Sequence, residues 1–165
     1  MITGGGVAVS LPEGWEGRID PGTGTFEPPV DGAAASPSTP TPAPGGATRR
    51  TVAHLANFPL PAQRADYGGG AVETMRSGDV FIALVELDPA STGSELFRHD
   101  GMPTIRPGDF DPNAVQQRVP GAGGAQQFFT VAGRAFCVYV VVGSHIDRAD
   151  VLPVVNDVLS SVVVG

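Results

Sequence analysis

The stretch "GDVFIALVELDP", residues 78–89, constrains the fold more than any other. Val80, Ile82 and Leu84 fall on one side of an extended chain, and Phe81, Ala83, Val85 and Leu87 fall on the other. Successive strand side chains point to opposite faces, so a strand that is apolar on both must be covered on both. "AFCVYVVV" at residues 135–142 has the same property. It follows "AQQFFTV", and the two read as a hairpin: a strand over 126–131, a turn at Ala132-Gly133-Arg134, and a second strand over 135–142. The chain therefore needs a sheet with these two strands inside it and a layer on each face.

One of those layers is legible at the C-terminal end. In "SHIDRADVLPVVNDVLSSVVVG", Val151, Leu152, Val155, Val158, Leu159 and Val162 share one helical face. Asp150, Pro153, Asn156, Asp157, Ser160 and Ser161 share the opposite one, which is the pattern of an amphipathic helix. Asp150 is expected to cap it with Pro153 in its first turn, and Ser144 with Asp147 fits a capping box. At the other end, Val7, Val9 and Leu11 alternate with Ala8 and Ser10 as in a half-buried strand that Pro12 and Gly14 stop, while Trp15 and Ile19 return toward the core. "RTVAHLANFPLP" resumes an extended pattern, and Pro59 and Pro61 place its end at or beyond a sheet edge. "STGSELF" reads as a short capped turn or helix. Residues 98–124, with four prolines, read as loop with one helical turn at "PNAVQQ".

The expected fold class is α+β: a mainly antiparallel sheet with the C-terminal helix packed on it. Its 165 residues suit a single domain, which at this size buries roughly 70% of the surface its unfolded chain exposes. Residues 21–50 are rich in Pro, Ala and Thr and nearly devoid of large apolar side chains, so they are expected to form a flexible internal loop. The net charge is −7, and all ten basic residues are scattered arginines. That balance argues against nucleic acid and against an anionic membrane surface as partners. The longest apolar run, residues 135–143, is nine residues and too short to span a bilayer as a helix. The opening "MITGGGVAVSLPEGW" has neither a basic region nor an apolar stretch of the signal-peptide kind, so the expected location is cytoplasmic.

The chemistry-bearing residues do not assemble into a recognised motif. "ADYGGGAVETM", residues 65–75, has three consecutive glycines before a helix-like run and raises the question of a phosphate cradle. A P-loop needs a lysine, and the chain has none. A dinucleotide fingerprint needs G-x-G-x-x-G after a buried strand, and "PAQRADY" is not one. A structural turn is the expected role, with Asp66, Tyr67, Gly68 and Gly69 kept as the candidate binding residues. Cys137, the only cysteine, lies in an apolar strand and reads as a buried, inert thiol. His54, His99 and His145 show no metal-ligand spacing. No catalytic group, metal or cofactor is assigned.

"VAVSLPEGW" at residues 7–15, a strand running into Leu-Pro-x-Gly-Trp, resembles the first strand of the PsbP-like superfamily, and the late hairpin and C-terminal helix fit it as well. The texture of "YGGGAVE" and "GRAFCVYVVVGS" resembles proteins of G+C-rich actinobacteria. The first resemblance implies an α/β sandwich with no shared catalytic motif that binds a protein or a small ligand. The leading expectation is thus a non-enzymatic accessory module that binds another protein through a sheet edge and its loops. The alternatives are a small-ligand binder or enzyme with a pocket between the 65–70 and 98–124 loops, and a structural subunit of a larger assembly.

Overall fold

A computed structural model of the chain describes residues 1–21 and 50–165. The flexible loop expected over 21–50 lies almost wholly outside the described residues. Its flanks are paired, with Pro21 opposite Thr51.

The strands are β1 (Ile2–Gly4), β2 (Val7–Val9), β3 (Glu16–Pro21), β4 (Thr51–Ala56), β5 (Val80–Glu86), β6 (Gly123–Val131) and β7 (Arg134–Val142). Helix α1 (Arg148–Ser160) and the short β8 (Val163–Val164) close the chain. Among the described residues the main sheet has five strands in the order β3-β4-β5-β7-β6, every neighbouring pair antiparallel. A second sheet has the order β1-β2-β8. The fold is α+β, mostly antiparallel sheet with one C-terminal helix.

The two doubly apolar segments occupy the places their patterns demand. β5 is the middle strand of five and β7 lies beside it, both almost fully buried. The β6–β7 hairpin closes through Ala132-Gly133, both with positive φ (51° and 73°), and Val131 pairs with Arg134. Two positive-φ residues make the tight turn whose twist matches the strands it joins.

One face of the main sheet presents Ala53, Leu55, Ile82, Leu84, Phe129, Phe136, Val138 and Val140. Helix α1 covers it with Leu152, Val155, Val158 and Leu159, helped by Val7 and Val9 of the small sheet and by Ile105 and Phe110. The other face presents Val52, Ala56, Phe81, Ala83, Val85, Cys137, Tyr139 and Val141. Irregular chain covers it: Tyr67, Ala71 and Val72 from one segment, Leu87 and Phe97 from a second, Val115 and Ala122 from a third. Single-turn 3₁₀ helices punctuate this cover at Val72–Thr74, Pro89–Ser91 and Glu95–Phe97.

Several local expectations are corrected. Residue 147 is the N-cap of α1, so Asp150 lies inside the first turn and Pro153 inside the helix. The missing Pro153 N–H leaves the Ala149 carbonyl without its helical partner, on the exposed side of the helix where both residues lie. The Ser144–Asp147 pair forms (Ser144 Oγ donates to Asp147 Oδ2, 2.7 Å), but it closes the turn before the helix and does not cap it. "PNAVQQ" holds turns and no helix. Strands β1 and β8 were not legible. Each is two or three residues long and is held by pairing with β2.

Candidate functional site

The site is built where the irregular cover leaves a gap. After β5 the chain turns at Asp88, whose carboxylate accepts from the Ala90 N–H (2.9 Å) with Pro89 at the first helical position. A second turn, Glu95–Phe97, carries Phe97 back over the sheet. Phe97 meets Phe128 edge-on (ring centroids 5.4 Å apart, 77° between planes), and its carbonyl accepts from Thr130 Oγ1 at 2.8 Å. These contacts anchor the segment to edge strand β6.

Between this segment and the 61–70 loop lies a cavity of about 340 Å³. Its walls are the apolar side chains of Leu87, Leu96, Phe97 and Phe128 and the ring of Tyr67; Arg50, Asp88 and Ser91 supply the polar part. Arg50 and Asp88 form an ion pair at 3.3 Å. Leu96 is 59% exposed, the largest apolar exposure on the cavity wall.

The triple glycine forms the turn that aims Tyr67. The Gly68 N–H donates to Ala65 O, and the Ala71 and Val72 N–H groups donate to Gly68 O. The Gly70 N–H donates to the Glu73 carboxylate at 2.7 Å. Those amides are consumed inside the loop, and Glu73 occupies the place an anion would take. Gly68 has φ +86°, and a Cβ there would lie 2.4 Å from Cε1 of Phe81. Only glycine fits both the backbone and the space.

Of the candidate binding residues, Tyr67 alone lines the cavity. Gly68 is buried against Phe81, Gly69 is half-buried beside Ala65 and Gln117, and Asp66 is exposed. The cavity's other wall is the 87–97 segment, not the 98–124 loop that the sequence suggested. The reason is that 98–124 packs down on the sheet: Tyr139 Oη accepts from the Gln116 N–H at 3.0 Å, and Val115 and Ala122 join the core.

Beneath the cavity the Tyr67 ring stands edge-on to Tyr139 (5.8 Å, 76°), and its hydroxyl lies beside the Cys137 thiol. The two influence each other's titration, yet the hydroxyl is buried without a hydrogen bond of good geometry. Burial pushes the Tyr67 phenol up and lifts the Cys137 thiol to about 11, with Gln126 Nε2 donating to its sulfur at 3.2 Å. Such a thiol carries no useful thiolate at neutral pH.

A second polar cluster, which sequence reading missed, ties the 61–70 loop down. His54 on β4 is 3% exposed. Its Nδ1 accepts from Arg64 Nε at 2.8 Å, and its Nε2 lies 2.7 Å from the Asp66 carbonyl. Arg64 also donates to Pro61 O (3.0 Å) and to Asp20 Oδ2 on β3 (3.0 Å). Burial lowers the His54 pKa. The Arg64 charge acts in the same direction, against the Asp66 carbonyl and the Asp66 and Asp20 carboxylates. A third cluster joins the two sheets. Arg134 donates twice to Glu86 (2.8 Å each) and once to Gly5 O at 2.9 Å, and the Thr51 N–H donates to Glu86 Oε2 at 2.9 Å.

Among the described residues no group of three or more His, Cys, Asp or Glu is placed to hold a metal ion, and no helix is long and apolar enough to cross a membrane. Comparison of the chain with family models, with curated proteins and with solved structures finds no match.

Proposed function

We infer that the chain is a non-enzymatic binding domain whose cavity beside Tyr67 takes a small, neutral, largely apolar molecule. The observation that carries this reading is the cavity itself: about 340 Å³, walled mainly by aromatic and aliphatic side chains. Ligand pockets begin at about 300 Å³, and a 150 Å³ apolar cavity holds benzene, so the volume suits roughly a dozen heavy atoms. Neutrality follows from the charges. Arg50 is already paired with Asp88, so an entering ion would lose its hydration without a dedicated counter-charge. The likeness of residues 7–15 to the PsbP-like superfamily, with its α/β sandwich, supports binding over catalysis.

The test is calorimetric titration with 2-naphthol against the wild-type chain and Ser91→Trp, which fills the cavity. Saturable one-to-one binding that weakens at least tenfold in the variant is expected. Equal affinity in both, or none in the wild type, overturns the reading.

A protein partner is the second reading, favoured by the 59% exposure of Leu96 at the cavity. The outer edge of β3 serves it less well, because the exposed Glu16, Arg18 and Asp20 and the terminal Pro21 are features of a protected edge. Competition separates the two readings. A small-molecule site loses 2-naphthol only to molecules that fit inside, whereas a peptide site loses it also to a leucine-bearing peptide.

A further inference from the structure

We propose that His54 and Arg64 form an acid-sensitive latch that holds the 61–70 loop, and with it Tyr67, closed over Cys137 at neutral pH. The Arg64 guanidinium has only donors and does not give up its proton. Its Nε–H points at His54 Nδ1 over 2.8 Å, so Nδ1 must carry the lone pair. Nε2 then carries the hydrogen and donates it to the Asp66 carbonyl at 2.7 Å. Both ring nitrogens are satisfied in that one neutral tautomer.

A proton added at Nδ1 would set two N–H groups against each other across 2.8 Å and bring two positive charges into contact in a site that is 3% exposed. The surroundings relieve this only in part. From β3, Asp20 and Arg18 face the site, Arg18 directly opposite His54 in the register. From the loop come Arg64 and Asp66. From β5 comes the uncharged Phe81 ring, its centroid 5.5 Å from that of His54. Two carboxylates favour the imidazolium and the Arg64 guanidinium opposes it, while Arg18 acts on Arg64; burial, the largest influence, decides against the imidazolium. The cheapest escape is for Arg64 to leave. Its side chain is 3% exposed, and its remaining bonds run to its own loop and to the exposed Asp20. The loop that departs with it carries Gly68 off Phe81 and Tyr67 off Tyr139 and Cys137.

The direction follows from linkage. His54 binds a proton more weakly when closed than when the loop is open, where its pKa returns to about 6.5. Opening is therefore suppressed above that pH and grows tenfold for each unit below it, until the closed state itself protonates. Between pH 7.5 and 5.0 the increase is at most about 30-fold, the limit reached when the closed state stays unprotonated throughout. Release of the cavity's ligand in acid is a corollary, and it alone rests on the binding function inferred above.

Cys137 reports the opening. Its labelling by 4,4′-dithiodipyridine is measured on the full chain from pH 7.5 to 4.0, as a ratio to the urea-denatured chain at each pH so that thiol ionisation cancels. The wild-type ratio should begin to rise below about pH 6.5 and climb by up to about 30-fold by pH 5.0 with circular dichroism unchanged. His54→Gln, whose amide can accept from Arg64 and donate to the Asp66 carbonyl as the neutral ring does, should be flat down to pH 5.0. A wild-type ratio that stays flat, or rises only below about pH 4.5 where carboxylates titrate, overturns the latch. So does an equal rise in His54→Gln, or a rise that accompanies loss of the circular dichroism signal. Should His54→Gln fail to fold, the wild-type slope decides by itself. If labelling opens as stated while 2-naphthol affinity ignores pH, the latch stands and the cavity assignment falls.

Discussion

Replacing Gly68 with alanine tests the account of the triple glycine directly. Gly68 has φ +86°, and a Cβ there would lie 2.4 Å from Cε1 and 2.7 Å from Cζ of Phe81, and 3.0 Å from Cγ2 of Val72. Phe81 is fully buried in the middle strand and cannot yield without moving its neighbours. Two costs add. A left-handed backbone costs a non-glycine residue about 1–2 kcal/mol, and overpacking a filled core costs about 1–3 kcal/mol. The expected loss is about 2–5 kcal/mol, which in a chain of this length lowers Tm by about 4–20 °C. Gly14→Ala is the internal control, because Gly14 has φ +78° and nothing within 4 Å of a Cβ. It should show the backbone cost alone, about 1–2 kcal/mol. Urea denaturation followed by circular dichroism, with the m-value checked for constancy, gives both numbers. If Gly68→Ala costs no more than Gly14→Ala, Phe81 does not press on the loop, and the structural reading of these glycines fails.

Two further predictions concern the layers on the sheet. Leu159 is buried in the interface between α1 and the sheet, so Leu159→Asp should unfold the domain or cost well over the 2–5 kcal/mol of a buried Leu→Ala change, while the exposed Asp157→Ala stays within about 0.5 kcal/mol; thermal unfolding of both checks this. Arg134→Met should cost about 2–4 kcal/mol in urea unfolding, because it strands the Glu86 carboxylate, whose side chain is 14% exposed. Burial alone would raise the Glu86 pKa, but the hydrogen bonds from Arg134 and Thr51 bring it below the ordinary 4.5. The depressed value means that the pair's stabilisation is complete above pH 4.5 and is lost as pH falls through the folded-state pKa. The variant should therefore lose less stability between pH 5 and pH 3 than the wild type does, and an unchanged acid slope would refute the assignment.

The amino-acid sequence by itself determined the middle of this protein. β5 and β7 were legible because a strand buried on both faces must be apolar at every position, and α1 because Leu152, Val155, Val158 and Leu159 repeat at the helical period. Both patterns are local consequences of burial, so a short window contains them. The same logic explains what was lost at the edges. β1 and β8 are too short to show any period and exist only because β2 supplies their hydrogen bonds. Pro153 falls inside α1 because the buried stripe on the opposite face stabilises the helix by more than one lost hydrogen bond costs.

The candidate site was legible in one residue, Tyr67, and then for its position beside the glycines. Its other wall comes from 87–97, which carries no periodicity, and the latch joins residues 20, 54 and 64 through side chains whose local sequence says nothing of one another. "His54" on an apolar strand and "Arg64" in a polar loop each look ordinary alone. Their meeting depends on how irregular chain settles over a sheet face, and that is decided by long-range packing and by the need of each buried polar atom for a partner. Repeating patterns record which side of an element is buried. Only the tertiary structure records what buries it, and where the cover leaves room.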